Sequence, residues 1–306
     1  MHRDENDISA SSGAANAPQA FSLRDMCRRH NIRFKKGLGQ NLLLDDNINR
    51  IMVDAAALTS EDAVLEVGAG LGALTRRIVR EAGQVLSVEI DATFLPCLEE
   101  QFGQMSHVHL FRGDILNHAI DQLAAQHIPG ATSYKMLSNL PYYITTPIIF
   151  EFLESPLFFE RMVVMLQEEV GQRLVAPVNS ADYGVLTLAA QFYADIDIVH
   201  HVPASCFMPR PKVDSCIVRF RLIPGTRYPE VDRNKLMKVV RTAFSQRRKT
   251  LRNTLVKAGV MGLAPELAAE ALEAVGIDSG RRPQTLSLNE FVTLTQALMD
   301  RSSDIQ

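Results

Sequence analysis

From residue 63 onward, short apolar runs typical of β-strands alternate regularly with segments of helical periodicity. Each interval leaves room for one helix, and strands joined in this way lie parallel, with helices covering both faces of the sheet. The sequence therefore predicts a doubly wound α/β domain built on a mostly parallel sheet. The predicted strands cover residues 63–67, 84–89, 107–111, 135–138 and 162–166, and the predicted helices lie near residues 72–82, 92–102, 117–127 and 146–154.

The pattern changes twice towards the C-terminus. Apolar runs at residues 192–199 and 215–222 have little helical sequence between them, which predicts an antiparallel pair at one edge of the sheet. A turn rich in proline and glycine follows at residues 224–229, and only helical periodicity comes after it. The first 20 residues are acidic and nearly free of large apolar side chains, so burial cannot offset the entropy of ordering them. The predicted organisation is a disordered extension, a Rossmann-like domain and a small all-helical C-terminal domain, over residues 1–20, 21–225 and 226–306.

Charge is segregated along the chain. The formal net charge is −3, which by itself does not favour nucleic-acid binding. Residues 226–306 nevertheless hold 13 Lys and Arg against 9 Asp and Glu, whereas residues 1–225 hold 19 against 26. No apolar run approaches the roughly 18 residues that span a bilayer, and the N-terminus has no apolar signal core, so we expect a cytoplasmic protein without membrane contact. The four cysteines have no CxxC spacing or histidine partners, and no metal site is predicted.

A glycine-rich turn, VLEVGAGLGALT at residues 64–75, follows the first predicted strand. Glycine lets the backbone adopt positive φ and approach a ligand closely, and Glu89 ends the next strand, where its carboxylate can accept from both hydroxyls of a ribose. The same residues fit the G-x-G-x-x-A dinucleotide pattern, so a nicotinamide cofactor and a purely structural turn both stay open. Asp114, after the third strand, favours S-adenosylmethionine because it can accept from an adenine amino group, although it can also cap a helix.

The fourth predicted strand ends in Asn139-Leu140-Pro141-Tyr142, at the sheet edge where open α/β folds bind ligands. The N6 amine of adenine is a poor nucleophile because its lone pair is delocalised into the ring. The Asn139 amide oxygen and the Leu140 carbonyl can accept from its two N–H groups and localise that lone pair. Pro141 fixes φ in the turn, and Tyr142 can stack on the base. The loop therefore predicts methyl transfer to an exocyclic amine, with a strand-ending turn as the alternative.

Together with four further motifs, these features resemble the ribosomal RNA adenine dimethyltransferase family over about residues 32–300. Leu42 stands where the family usually has Phe, and Ala69 where many members have Pro, which puts local packing in doubt rather than activity. The matching motifs are FKKGLGQNLL at 34–43, VLEVGAGLGALT at 64–75, Glu89 and Asp114, NLPYYITTPI at 139–148, MLQEEVGQRLVA at 165–176, FMPRPKVDS at 207–215 and FSQRRKTLRNTL at 244–255.

This resemblance implies a class I S-adenosylmethionine-dependent methyltransferase without a metal. It implies transfer of methyl groups to N6 of two adjacent adenosines in the 3′-terminal hairpin of 16S rRNA, giving N6,N6-dimethyladenosine, during ribosome biogenesis. The expected partner is small-subunit rRNA within an assembling 30S subunit, and the expected enzyme is a monomer. Phe207 is implied to stack on the target adenine from the face opposite Tyr142. The implied donor contacts are Asn41, Leu43, Gly68, Glu89, Asp114 and Asn139.

The target base must leave its stack to reach a buried methyl donor, so the RNA contact is expected to be extensive. A run of basic residues can also be an ordinary solvated surface. The chain has two basic clusters, at residues 24–36 and 247–252, and because both belong to motifs of the family, we interpret them as phosphate-binding. The RNA-binding residues predicted from them are Arg33, Lys35, Lys36, Arg247, Arg248, Lys249 and Arg252.

Three other functions stay open at this point. A sister enzyme methylates one adenine of large-subunit rRNA, but the motifs NLPYYITTP and QRRKTLRN favour the small-subunit enzyme. Some relatives only bind nucleic acid; intact Glu89, Asp114 and Asn139 favour a catalyst. A nicotinamide enzyme would need an acid–base pair for hydride transfer, which the predicted loops lack.

Overall fold

The structure, a computed structural model, describes residues 23–303 apart from residues 36, 38 and 226. The extension predicted over residues 1–20 and the predicted RNA contact Lys36 therefore lie outside the described residues.

The described part of the chain forms nine β-strands, and seven of them make up one sheet. The strands, in chain order, are β1 (Leu42–Leu43), β2 (Ala63–Val67), β3 (Gln84–Glu89), β4 (Val108–Arg112), β5 (Tyr134–Asn139), β6 (Phe159–Gln167), β7 (Ala194–Val202), β8 (Phe207–Met208) and β9 (Ser215–Leu222). The sheet order is β4-β3-β2-β5-β6-β9-β7, in which β2 to β6 are parallel and β9 is antiparallel to both neighbours. The predicted parallel sheet and its antiparallel edge pair are confirmed. A second, two-stranded sheet joins β1 to β8.

The helices of the described residues include all four predicted between the strands, three of which begin three residues later than predicted. In chain order, the helices are α1 (Leu23–Arg29), α2 (Asp46–Ala56), α3 (Thr75–Ile78), α4 (Leu95–Phe102), α5 (Ile120–His127), α6 (Thr145–Leu153), α7 (Glu168–Leu174), α8 (Val185–Gln191), α9 (Arg233–Phe244), α10 (Pro265–Ala274) and α11 (Leu288–Ser303). Helix α3 starts only at Thr75, because Gly72 still has a positive φ of +80°. Helices α7 and α8 lie where no element was predicted; α8 buries four consecutive residues and so lacks amphipathic periodicity.

Each central strand contributes to two hydrophobic cores, one on each face of the sheet. In β2, Leu65 and Val67 enter one core and Val64 the other; in β5, Met136 and Leu137 divide in the same way. Since both faces are covered, the strands are almost continuously apolar, as in other parallel sheets.

A third core belongs to the C-terminal helices and to one segment that precedes them. Leu236 and Val240 of α9 and Phe291 of α11 pack in a cluster that also contains Leu188 of α8. The Tyr183 hydroxyl donates to the Leu286 carbonyl at 2.8 Å. The helical region is thus joined to the α/β part through residues 176–192, and the division predicted at residues 225 and 226 stays a prediction.

Gly72 illustrates how tightly the glycine turn packs. A Cβ atom at this position would lie 2.6 Å from Cε2 of Phe102, in addition to the unfavourable φ. Gly262 has the same φ of +80° but nothing within 4 Å of such an atom. Comparing alanine substitutions at the two positions therefore distinguishes the free-energy cost of the positive φ from that of the steric clash.

We expect Gly262→Ala to lower the free energy of unfolding by about 1–2 kcal/mol, the usual cost of a positive φ. Gly72→Ala should cost a further 1–3 kcal/mol or so, because it also overpacks the contact with Phe102. Urea denaturation measures both, and Gly72→Ala combined with Phe102→Leu should recover part of the difference. Equal losses in the two single variants would show that the clash is relieved without cost.

Candidate active site

A cavity opens at the carboxyl ends of β2, β3, β4 and β5, the edge at which open α/β sheets bind ligands. Each of these strands contributes the residues that follow it, and the segment around β1 closes one side. Nine residues predicted from the sequence line it together: Asn41, Leu43, Gly68, Glu89, Asp114, Asn139, Leu140, Pro141 and Tyr142.

Glu89 is the buried acid of this cavity and is 4% exposed. The backbone N–H of Gly70 donates to its Oε2 at 2.8 Å, and that of Asp91 donates to its Oε1 at 2.7 Å. Burial raises the pKa of Glu89, while these two amides act in the opposite direction. The carboxylate is oriented from both sides, and each oxygen keeps a lone pair for a further donor.

The glycine turn leaves open space where a ligand needs it. Gly68 has a φ of +78°, and the nearest atom to an added Cβ would be the Asn139 carbonyl oxygen at 3.8 Å. Leu42, the departure from the family's Phe, packs against Gly70, since a Cβ there would lie 3.5 Å from its Cδ2. Ala69, the second departure, is buried at 6% exposure. Both departures are accommodated as apolar contacts.

Asp114 has two roles in the structure. Its Oδ1 accepts from the backbone N–H of Leu116 at 3.1 Å, which caps the short 3₁₀ helix Ile115–Asn117. The capping interpretation is therefore confirmed. Asp114 also lines the cavity, and a carboxylate has enough lone pairs to cap a helix and bind a ligand.

The Asn139 side chain makes one hydrogen bond among the described residues. Its Nδ2 donates to the Asn41 carbonyl at 3.5 Å, a long contact that leaves Oδ1 for another donor. The next residue is fixed through its backbone, because the Leu140 N–H donates to the Met165 carbonyl in β6 at 3.3 Å. Pro141 has a φ of −59°, as the ring requires.

Two adjacent tyrosines lie at the cavity. The Tyr142 hydroxyl is hydrogen-bonded to Ser215 Oγ at 2.7 Å, and burial raises the pKa of this tyrosine. The bond ties the Asn139 turn to the start of β9, a link that sequence reasoning missed although Ser215 ends one of the matching motifs. Tyr143 is 55% exposed and lies against Gly39, whose added Cβ would be 3.3 Å from its Cδ1.

Phe207 is not among the residues that line the cavity. It lies in β8, is 4% exposed and pairs with Leu43, which does line the cavity. The structure thus brings Phe207 next to the site without placing it inside, and its stacking on a base stays a prediction.

The predicted RNA-binding residues that the structure describes divide by whether they form an ion pair. Lys35 is already paired, because its Nζ lies 2.6 Å from Asp91 Oδ1. Arg33 is exposed and has no hydrogen bond or ion pair in the described part of the chain. The four predicted residues of the C-terminal region are all exposed, and none forms an ion pair with another described residue. They are Arg247, Arg248, Lys249 and Arg252. Their positive charge is uncompensated, as expected for a phosphate-binding surface.

Glu66 is a buried acid behind the glycine turn, and its role was not predicted from the sequence. It is 1% exposed within β2, and its Oε2 accepts from Thr75 Oγ1 at 2.6 Å and from Ser87 Oγ at 2.7 Å. Burial raises its pKa from 4.5 to about 7, the two hydroxyls partly oppose this, and the Glu89 charge adds to it. The bond to Thr75 fixes the start of α3 behind the glycine turn. A lone acid in the apolar run AVLEV was the available signal.

Among the described residues, no group of three or more His, Cys, Asp or Glu side chains is placed to hold a metal ion. Nor does any helix in that part of the chain have the length and apolar character needed to cross a membrane.

The order of the seven strands, the glycine turn after β2 and the cavity at the carboxyl edge define a class I methyltransferase. Within that class, the chain belongs to the ribosomal RNA adenine dimethylase family, whose model matches residues 31–298. This confirms the predicted resemblance and fold class, and it decides against a nicotinamide enzyme.

Curated relatives match over nearly their whole length. A Pelotomaculum thermopropionicum protein named ribosomal RNA small subunit methyltransferase A is 42% identical over 283 residues, which cover 91% of this chain and 96% of the relative. A protein of the same name from Geobacillus thermodenitrificans is 40% identical over 277 residues, covering 90% and 94%.

Two solved structures share the fold. A dimethyladenosine transferase from Plasmodium falciparum superposes with a TM-score of 0.74 at 24% identity, covering 85% of this chain and 98% of that one. The 23S rRNA methyltransferase ErmE superposes with a TM-score of 0.63 at 24% identity, covering 84% and 99%.

The raised pKa of Glu66 predicts a pH-dependent effect of Glu66→Gln on stability. The native state holds the proton of Glu66 more tightly than the unfolded chain, so the stability it contributes is complete below pH 4.5 and is lost as pH rises to about 7. The glutamine side chain of the variant cannot lose a proton and keeps an acceptor for both hydroxyls. We expect the variant to gain up to about 3 kcal/mol over the wild type at pH 8, and much less at pH 5.

Urea unfolding of both proteins at the two pH values measures this difference. Subtracting the wild type at each pH removes the contribution of the other titrating groups. A gain of the same size at pH 5 and pH 8 would contradict a raised pKa and indicate a packing effect.

Proposed function

We propose that this protein transfers methyl groups from S-adenosylmethionine to N6 of two adjacent adenosines in the 3′-terminal hairpin of 16S rRNA, giving N6,N6-dimethyladenosine during 30S assembly. The proposal rests on one observation: a single cavity brings together the buried acid Glu89, the helix-capping acid Asp114, the glycine turn and the turn that begins at Asn139. The names of the curated relatives, which specify the small ribosomal subunit, support this substrate.

The cavity offers a polar or backbone partner for each part of the methyl donor. Glu89, whose carboxylate is oriented by two backbone amides, would accept from the ribose hydroxyls. Asp114 would accept from the adenine amino group, and the open backbone at Gly68 would lie against the methionine part. Asn41 and Leu43 also line the cavity and would complete the contacts to the methionine part.

When bound, the donor supplies a methyl group already activated by a positively charged sulfur, so neither a strong base nor a metal is required. The protein's task is to position the amine. The Asn139 Oδ1, left free by the contact of its Nδ2, and the Leu140 carbonyl accept from the two N–H groups of N6. These bonds localise the nitrogen lone pair, and the amine loses its proton to solvent after methyl transfer.

The target adenine must leave its stack to reach this turn. Tyr142, anchored through Ser215, supplies one aromatic face for the flipped base. Phe207 is proposed to supply the other, which requires the β8 segment to rearrange, because its ring is buried. A base–aromatic contact contributes roughly 1–3 kcal/mol, enough to offset much of the cost of unstacking.

The C-terminal helical region is proposed as the principal rRNA-binding domain. The four residues predicted there as RNA contacts, Arg247, Arg248, Lys249 and Arg252, are exposed and have no acidic partner in the described chain, unlike Lys35. The alternative substrate, large-subunit rRNA, has the structural similarity to ErmE in its favour, but at 24% identity this likeness extends to the fold alone. We further propose a cytoplasmic monomer that acts on rRNA in a partly assembled subunit.

We expect Asn139→Ala to abolish dimethylation of undermethylated 30S subunits, because the variant loses the acceptor that orients N6. Affinity for S-adenosylhomocysteine should stay within about tenfold of wild type, since Asn139 acts mainly on the reacting amine. Mapping of N6,N6-dimethyladenosine by mass spectrometry, with calorimetry for the ligand, provides both readouts.

Asn47→Ala, a change at an exposed asparagine of α2, is the matched control and should methylate normally. Turnover by Asn139→Ala at a rate near wild type would refute the mechanism. Wild-type methylation of 23S rather than 16S rRNA would refute the proposed substrate.

Replacing Arg247, Arg248 and Lys249 together by Gln should weaken RNA binding and flatten its salt dependence. Each lost phosphate contact lowers the slope of log K against log salt by roughly 1, so a decrease of about 2–3 is expected. Arg50→Gln with Arg173→Gln is the control, since these exposed arginines are already paired with Asp54 and Glu169. An unchanged slope in the triple variant would place the RNA on another surface.

A further inference from the structure

Asp91 connects the donor cavity to a distant segment of the chain. Its backbone N–H donates to Glu89 Oε1, and its side chain accepts from Lys35 Nζ at 2.6 Å and from Gln40 Nε2 at 2.7 Å. Lys35 and Gln40 are also joined to each other, because the Lys35 backbone N–H donates to Gln40 Oε1 at 2.7 Å. Gln40 is followed directly by Asn41, and both line the cavity.

A local turn does not account for the Asp91 side chain. Its Oδ1 accepts from the Thr93 N–H and hydroxyl at 3.0 and 2.9 Å, the usual bonds of an Asx turn. Its Oδ2 is occupied by Gln40, which lies 51 residues earlier. The Asp91 side chain is 0% exposed, so its charge requires the ammonium group of Lys35 as a partner. The contacts of Asp91 with Lys35 and Gln40 therefore hold the segment before Asn41 in place.

The pKa of Asp91 reflects the strength of these hydrogen bonds. Burial alone would raise the pKa of Asp91, but hydrogen bonds from Lys35, Thr93 and Gln40 outweigh it and bring the pKa to about 2. Asp91 is therefore charged throughout the working range of pH. Lys35 is half exposed, with 50% of its side chain in solvent, and it still keeps this partner.

We propose that Asp91 is a positioning residue for the methyl donor, which with Lys35 and Gln40 sets Asn41 against the Glu89 side of the cavity. The inference rests on the proposed function and assigns Lys35 to the donor site rather than to RNA phosphate. The same segment reaches the reacting end of the site, because the Asn41 carbonyl accepts from Asn139 Nδ2. Asp91 acts only through these residues and touches neither substrate.

The test uses the full chain and S-adenosylhomocysteine as the ligand, measured by calorimetry without RNA. Asp91→Asn places an amide N–H₂ against either Lys35 or Gln40, both of which donate. It should lower the affinity for S-adenosylhomocysteine by about tenfold or more. Lys35→Met should weaken it by about fivefold, and Lys35→Arg should restore binding to within about twofold. In methylation assays, KM for the donor should rise while kcat stays within about threefold of wild type.

Arg33→Met is the matched control: it removes a positive charge from the same segment, at an exposed residue without a partner in the described chain. It should leave the affinity for S-adenosylhomocysteine unchanged and lower only the salt slope of RNA binding, whereas Lys35→Met should leave that slope unchanged. If Asp91→Asn fails to fold, Lys35→Met and Lys35→Arg, altered at a half-exposed side chain, still decide the question.

Wild-type ligand affinity in folded Lys35→Met, together with a reduced RNA salt slope, would overturn the inference and return Lys35 to the RNA surface. Failure of the wild type itself to bind S-adenosylhomocysteine would refute the proposed function, which is a different result.

Discussion

The arrangement of the site depends on one buried carboxylate. Glu89 ends β3 and draws the Gly70 amide towards it from the glycine turn and the Asp91 amide from the segment that follows. A buried charge is tolerated only with such partners, so the turn must adopt the positive φ angles that place its amides. The open space over Gly68 and the contacts of Asp91 both follow from this geometry. Other parts of the cavity are positioned around it by the parallel strands.

This arrangement has an electrostatic cost. Glu66 and Glu89 lie on neighbouring strands, both are buried, and each has a raised pKa; the charge of Glu89 adds to the increase at Glu66. Hydroxyl and backbone N–H donors satisfy the carboxylates, yet like charges at this depth still repel each other. Such local destabilisation is common where a fold maintains a binding site, because the residues are arranged for the ligand rather than for the free protein.

Local patterns in the sequence were sufficient for the sheet and for most of the cavity. Strand periodicity, glycine spacing and acids at strand ends are properties of neighbouring residues, and parallel strands bring their ends together. What escaped prediction joins residues far apart in the chain: Tyr142 with Ser215, and Lys35 with Asp91. Lys35 therefore looked like an unpaired phosphate contact. The two-residue strands β1 and β8 are too short for any periodicity, and the position of Phe207 depends on them.

The pairing of β1 with β8 has a thermodynamic consequence for the proposed reaction. Leu43 and Phe207 are direct partners across two backbones, so one cannot shift without straining the other. If the bound RNA turns Phe207 towards its base, Leu43, which lines the cavity, is displaced with it. Linkage then makes the effect reciprocal: the factor by which RNA changes affinity for the donor equals the factor by which the donor changes affinity for RNA. A two-residue ladder would in this way make each substrate an effector of the other.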